Sequence, residues 1–107
     1  MANLFKNAKV DLTTTNATTL YTCPSATTAI VKSILVSEDS NNADTITITL
    51  TNASSAVYSI YKDKAISAKQ TLELLSAPLV VEESEILKVT AATADRLHVV
   101  ASILEVS

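Results

Sequence analysis

A chain with one histidine, His98, and one cysteine, Cys23, has few routes to chemistry. Zinc would want a second soft or imidazole ligand near His98, and none lies near it in sequence, so no metal is expected there. As a general base His98 would need a nucleophile and an orienting carboxylate. Its plainer reading is a strand histidine at a core margin or a subunit contact. In a contact it would make assembly sensitive to acid. Cys23 has no partner for an internal disulfide and precedes Pro24. It reads as a small buried hydrophobe, because a reactive thiol wants a basic or helix N-terminal setting.

The densest carboxylates are Glu82, Glu83 and Glu85, around Ser84. Carboxylate pairs at a fixed separation can cleave glycosides, but these crowd one corner and read as a solvated turn. Calcium through this corner with Asp95, or through Asp39 and Asp44 around Asn41 and Asn42, is the minor alternative. The same residues are what a hairpin loop without glycine needs. Asn16-Ala17-Thr18 and Asn52-Ala53-Ser54 match the glycosylation pattern, yet Asn, Thr and Ser are so common here that chance accounts for both. Tyr58 and Tyr61 fall on opposite faces of one strand, so they form no sugar-stacking platform by themselves. No catalytic residue and no cofactor is assigned, and the chain reads as a non-enzyme.

Composition sets the frame for these residues. The 107 residues suffice for one domain, 1–107, with one core. Hydrophobic residues make up 48%, too many for a disordered chain, and charged residues only 18%, below the roughly 25% usual in soluble domains. Threonine, serine and asparagine take the charges' place, which suits strands. Glycine is absent, which excludes Gly-rich phosphate loops, dinucleotide fingerprints and serine-hydrolase elbows. Turns must then use Asn, Asp and Ser, at Asp39–Asn42, Asn52–Ser55 and Thr93–Asp95. A net charge of -3, no basic block and few rings argue against nucleic acid as a partner. No apolar run nears 18 residues, so no membrane partner is expected, and the first residues carry no signal-peptide pattern.

The elements read as β throughout. Leu97 to Val106 is one long strand, with Leu97, Val99, Ala101 and Ile103 on one face and His98, Val100, Ser102, Leu104 and Val106 on the other. The second set is too apolar for an ordinary wet face. Thr45 to Thr51 alternates threonine with Ile46, Ile48 and Leu50, a half-buried strand. Further strands are expected at Lys9–Thr14, Thr18–Cys23, Ala29–Glu38, Ala56–Lys62, Thr71–Leu75, Leu79–Val81 and Ile86–Thr90. In Ala29–Glu38 the period of two groups Ile30, Ile34 and Val36 with Lys32. A short helix in Ala65–Leu75, or one turn at Ala91–Ala94, is the competitor. About eight short strands at near-regular spacing predict an all-β single domain, an antiparallel sandwich or jelly-roll-like barrel. Residues 1–8 are a candidate N-terminal arm, because Leu4 and Phe5 would be unusual in a free tail.

Three phrases near the start carry a resemblance: Leu4-Phe5-Lys6-Asn7-Ala8-Lys9-Val10, Thr18-Thr19-Leu20-Tyr21-Thr22-Cys23-Pro24 and Thr28-Ala29-Ile30-Val31-Lys32-Ser33-Ile34. It continues in Leu72-Glu73-Leu74-Leu75-Ser76-Ala77-Pro78-Leu79 and in Val99-Val100-Ala101-Ser102-Ile103-Leu104-Glu105-Val106-Ser107. The chain resembles small β-rich virion accessory proteins of tailed bacteriophages, whose members decorate the capsid or belong to the tail and its fibres. The resemblance implies a virion location, with assembly in the host cytoplasm. It implies the major capsid protein or other virion proteins as partners. A capsid decoration (cement) protein is the first expectation, and a tail, neck or fibre-attachment component the alternative. A carbohydrate-binding β-sandwich module is a further one. A homo-oligomer is expected, with a trimer suggested by the local symmetry of capsids. The candidate interface residues are Leu4, Phe5, His98, Val100, Leu104 and Val106.

Overall fold

The computed structural model describes residues 3–107. Nine strands follow in order: β1 (Asn3–Asp11), β2 (Thr18–Thr22), β3 (Thr28–Glu38), β4 (Asp44–Thr51), β5 (Val57–Ile66), β6 (Thr71–Glu73), β7 (Leu79–Val81), β8 (Ile86–Ala91) and β9 (Leu97–Val106). No helix forms among the described residues. Ala65 and Ile66 end β5, and Thr71 begins β6. Helix propensity there loses to strand pairing, because the segment has no stripe to bury as a helix.

Sheet I orders β1-β9-β3-β6, with β7 on the same side of β3 further along; sheet II orders β2-β8-β4-β5. The pairs β1–β9, β2–β8, β3 with β6 and β7, and β4–β5 are all antiparallel. The chain is therefore one long antiparallel ribbon, doubled back at the β4–β5 turn. Successive pairs of the ribbon go alternately to the two sheets. Pairing of β9 with β3 and of β8 with β4 then closes each sheet. This is the winding of a jelly roll, with β6 and β7 as two pieces of one interrupted strand.

The core lies between the sheets. Sheet I contributes Val31, Ile34, Val36, Leu97, Val99 and Ile103, and sheet II contributes Ile46, Ile48, Leu87 and Val89; all are buried. Each such side chain contributes roughly 1.5–3 kcal/mol on burial. Alternation in β9 and β4 is as the sequence predicts. Alternation in β3 is not, because the β3–β9 register shifts between Val31 and Ser33. One extra residue reverses the phase. Ala29 and Val31 before the shift, and Ile34 and Val36 after it, all point inward, and Ile30 and Leu35 point outward. Lys32 leaves the apolar face by this bulge and stays exposed. A second shift, between Thr19 and Tyr21, buries both Leu20 and Tyr21, which a strict period of two would set on opposite faces.

Among the described residues, seven non-glycine residues take positive φ: Ala26, Asn41, Ser55, Asp63, Lys69, Ser84 and Asp95. Asn41, Ser55 and Asp95 sit in the three turns that the sequence assigns to Asn, Asp and Ser. The left-handed conformation costs a residue with a Cβ about 1–2 kcal/mol, least for Asn and Asp, so the lack of glycine is met by local strain.

Strand β1 begins at Asn3 and pairs with β9 without a break from Asn3↔Val106 to Asp11↔His98. Asn3 to Ala8 of the candidate arm are thus part of sheet I of their own chain. They start the strand six residues before the expected Lys9 and find their ladder on the long β9. Met1 and Ala2 lie outside the described residues.

Candidate interaction surface

Residues opposite one another in neighbouring strands share a face, so the registers define rows across sheet I. Phe5 of β1 lies opposite Leu104 of β9, Leu104 opposite Ile30 of β3, and Ile30 opposite Val80 of β7. All four are on the outer face. Phe5 is 71% exposed and Val80 52%, with Leu104 and Ile30 half-buried between them. At a strand spacing of about 4.8 Å the row is roughly 14 Å wide. A second row runs Lys9, Val100, Leu35, Glu73, with Leu35 41% and Val100 39% exposed. Between them lies a polar row of Asn7, Ser102 and Ser33. An open depression along β1 and β9 is lined by Lys9, Asp11, His98 and Val100, among others.

Of the expected interface residues, Phe5, His98, Val100, Leu104 and Val106 lie on this outer face. Leu4 is 55% exposed but belongs to the inward face, opposite Glu105, where β1 overhangs the core. Ile30, Leu35 and Val80 were not among the residues singled out. Ile30 is hidden by the bulge, since a period of two groups it with Ile34 and Val36, whereas Leu35 lies on the other face from those two in the pattern and in the structure alike. Val80 could have been found as the middle residue of a three-residue apolar strand whose neighbours face inward.

His98 stands at the end of the face between two carboxylates. Its Nε2 is 3.1 Å from Asp11 Oδ1 and its Nδ1 3.4 Å from Asp39 Oδ2. The arrangement ties β1 and β9 to the β3–β4 loop.

Carboxylates hold the irregular parts of sheet I. The buried Glu38 side chain accepts the Ser40 N–H at 2.8 Å, the Asn42 N–H at 3.2 Å and the Lys69 N–H at 2.9 Å, and also the Ser40 hydroxyl. One carboxylate thus shapes both the β3–β4 loop and the β5–β6 turn. Burial opposes its charge, but these donors win and bring its pKa down to about 2. Glu73 does the same for the bulge. It accepts the Ile34 N–H at 2.9 Å, the Leu75 N–H at 3.1 Å and the Ser33 hydroxyl. Burial raises its pKa and the donors lower it, with a net lowering. Glu105, buried near the end of β9, accepts the Tyr21 hydroxyl at 2.5 Å and has Lys6 Nζ at 3.4 Å. Tyr21 is pushed well above the usual phenol range, first by burial and then by this carboxylate.

The other candidates have structural partners. Cys23 is buried, its Sγ 3.3 Å from Thr27 O, and burial pushes its thiol up, away from the reactive thiolate. Glu83 accepts the Ala26 N–H at 3.0 Å and Glu85 the Glu82 N–H at 2.8 Å, so the acidic corner is a hydrogen-bonded turn. Asp44 accepts the Thr93 N–H at 3.1 Å and pins the β8–β9 turn. Among the described residues no group of three or more His, Cys, Asp and Glu side chains is placed to hold a metal ion. The Tyr61 hydroxyl donates to Leu74 O at 2.5 Å. Tyr61 lies opposite Ile48 and the exposed Tyr58 opposite Leu50, so the register shift between Ile48 and Thr49 sets the two rings on one face and not on opposite faces as a strict period of two predicts.

What these features define is a jelly-roll domain with a worked core and one apolar outer face. No family model matches the sequence, and no curated protein matches it. Among solved structures, the fold is similar to a chain in "Structure of infectious bursal disease virus Gt strain", with a TM-score of 0.50 at 9% identity. The match covers 98% of this chain and 30% of that one, so this chain spans under a third of its neighbour's length. At that identity the likeness is one of fold.

Proposed function

We propose that this chain is a non-enzymatic structural protein of a virus particle. More specifically, we read it as a capsid decoration protein of a tailed bacteriophage that seats on the major capsid protein lattice. The observation that carries this reading is the apolar row Phe5–Leu104–Ile30–Val80 across four strands of a jelly roll's outer face. An antiparallel sheet with one wet face alternates polar residues outward, and sheet I does not do so in that row. A contiguous exposed apolar patch on a small domain is the mark of a contact surface.

The mechanism is binding alone. A domain that binds the assembled lattice and not its disassembled subunits stabilises the lattice by mass action. The tightly pinned turns keep the face in one shape before it binds, which lowers the ordering cost of association. The resemblance of the sequence phrases to tailed-phage accessory proteins supports the narrower reading, and the viral structure with a similar fold supports the broader one.

The test is the protein's abundance in purified particles by quantitative mass spectrometry. On the order of hundreds of copies per particle is the expected result, as one copy or oligomer per lattice position requires. About ten copies or fewer would replace decoration by the tail or fibre-attachment alternative. Absence from particles would reject both.

A further inference from the structure

The four lateral edges of the two sheets are not equally protected. A free strand edge invites pairing with another chain, and proteins blunt such edges with bulges, prolines, charges or short strands. The β5 edge of sheet II breaks register twice and carries Asp63 at positive φ between Lys62 and Lys64. The β2 edge is five residues long, contains a bulge and ends before Pro24. The far edge of sheet I is split into β6 and β7, three residues each, with Pro78 between them. The β1 edge carries charges at Lys6, Lys9 and Asp11 but has no bulge, no proline and no shortening. It runs nine residues in unbroken register. Its Lys6 is drawn inward, to Glu105 at 3.4 Å and to within 6.0 Å of the Tyr21 ring centre.

The side chains of β1 say what suits that edge. Leu4 and Phe5 are both exposed, yet they point to opposite faces of the sheet. An occupant lying on the outer face covers Phe5 and leaves Leu4 in water. A strand added in the plane of the sheet flanks both.

We propose that two copies of this chain join edge to edge through β1, antiparallel, with a two-fold axis at Asn7. This goes beyond the virion reading and does not rest on it. In this register Leu4 lies beside Val10 of the second copy on the inner side. Phe5 lies beside Lys9 on the outer side, a ring against a cation, and Asn7 meets its own copy. Lys6 falls opposite Ala8 and Asp11 opposite Asn3, so no like charges oppose each other. Side-chain alternation allows only shifts of two in pairing, and the neighbouring choices are worse. Centring on Lys6 sets two Lys6 ammonium groups face to face. Centring on Ala8 leaves Leu4 without a partner within β1. The two four-strand breadths of sheet I would then form one continuous sheet, an isologous contact that closes on itself.

The contact is small, so it is read best at high concentration. Sedimentation of the full chain up to on the order of 100 μM should show a reversible monomer–dimer equilibrium. Phe5→Lys sets ammonium against ammonium at two symmetric places and should weaken the dimer about tenfold. Lys9→Glu in that background should restore it, since the two positions meet only across the proposed register. Asn7→Cys should form a disulfide-linked dimer on mild oxidation, and Phe5→Cys alone should not. Circular dichroism checks that each exposed-site variant stays folded. A monomer at all concentrations, a trimer, an unweakened Phe5→Lys dimer, no rescue by Lys9→Glu, or no Asn7→Cys crosslink would each overturn the proposal.

Discussion

The two outer faces of this sandwich serve the same core and differ in what they show to the surroundings. On sheet II, Thr47 lies opposite Thr90 and Thr49 opposite Lys88, so the central rows are polar. Only its far end, where Ile86 and Val57 flank Thr51, is apolar. On sheet I the equivalent place in the fold carries Phe5, Leu104, Ile30 and Val80. Threonine satisfies the strand's steric preference and hydrates its hydroxyl, so the central rows of sheet II show that this fold does not need apolar residues outside there. Those on sheet I are therefore not explained by folding. The irregularities divide similarly. Glu38, Glu73 and Glu105, all on sheet I, tie loops, a bulge and a neighbouring strand in place through their carboxylates.

The contrast can be broken by exchanging character between the faces. The largest effect is expected from Leu35→Glu with Val80→Glu, which places two charges on the apolar face without touching the core. Their occupancy on particles should fall by at least ~30-fold, the loss of one strong contact residue or more, read by co-sedimentation with depleted particles. The matching pair on sheet II, Thr47→Glu with Thr49→Glu, should leave occupancy within about twofold. Equal losses from both pairs would erase the distinction.

A smaller effect sharpens the second contrast. Glu73→Ala removes the acceptor of the Ile34 N–H at the bulge and should cost about 1–3 kcal/mol, measured by urea unfolding. Glu38 adds a pH signature. Its folded pKa, about 2, lies below its ordinary value of 4.5, so it stabilises the fold above about pH 4.5. That contribution is lost as pH falls from 4.5 towards 2. Glu38→Gln should therefore unfold more easily than wild type at pH 7, with the difference shrinking below pH 4.5. A gap independent of pH would contradict it. The smallest effect is a gain. Ala26 holds positive φ at 56°, and Ala26→Gly should stabilise by about 0.5–1 kcal/mol, raising Tm by several degrees.

Much of this was legible in the residues, and the reasons for the rest are specific. Strict alternation in Leu97–Val106 and Thr45–Thr51 reveals both strands and their inward faces, and it places Val100 and Leu104 outside. The same rule misassigns Ile30 and Val31, grouping Ile30 with Ile34 and Val36 and Val31 with Leu35, because one bulge at Val31–Ser33 inverts the phase and is set by pairing with β9 and by the Glu73 carboxylate, neither visible locally. Asn41, Ser55 and Asp95 follow from turn chemistry, whereas Ala26 and Lys69 at positive φ do not. Lys69 is held there partly by its N–H bond to Glu38, thirty-one positions away. Strand order is a choice among pairings that the pattern leaves open, so the jelly-roll winding needed the structure.

The proposed contact surface is the outer face of sheet I. Electron cryo-microscopy of a particle carrying this chain tests it most directly. If the proposal holds, density for the chain lies on the shell, with Phe5, Ile30, Val80 and Leu104 against the major capsid protein and the threonine rows of sheet II towards solvent. A chain seated by its sheet II face, with sheet I open to solvent, would contradict it.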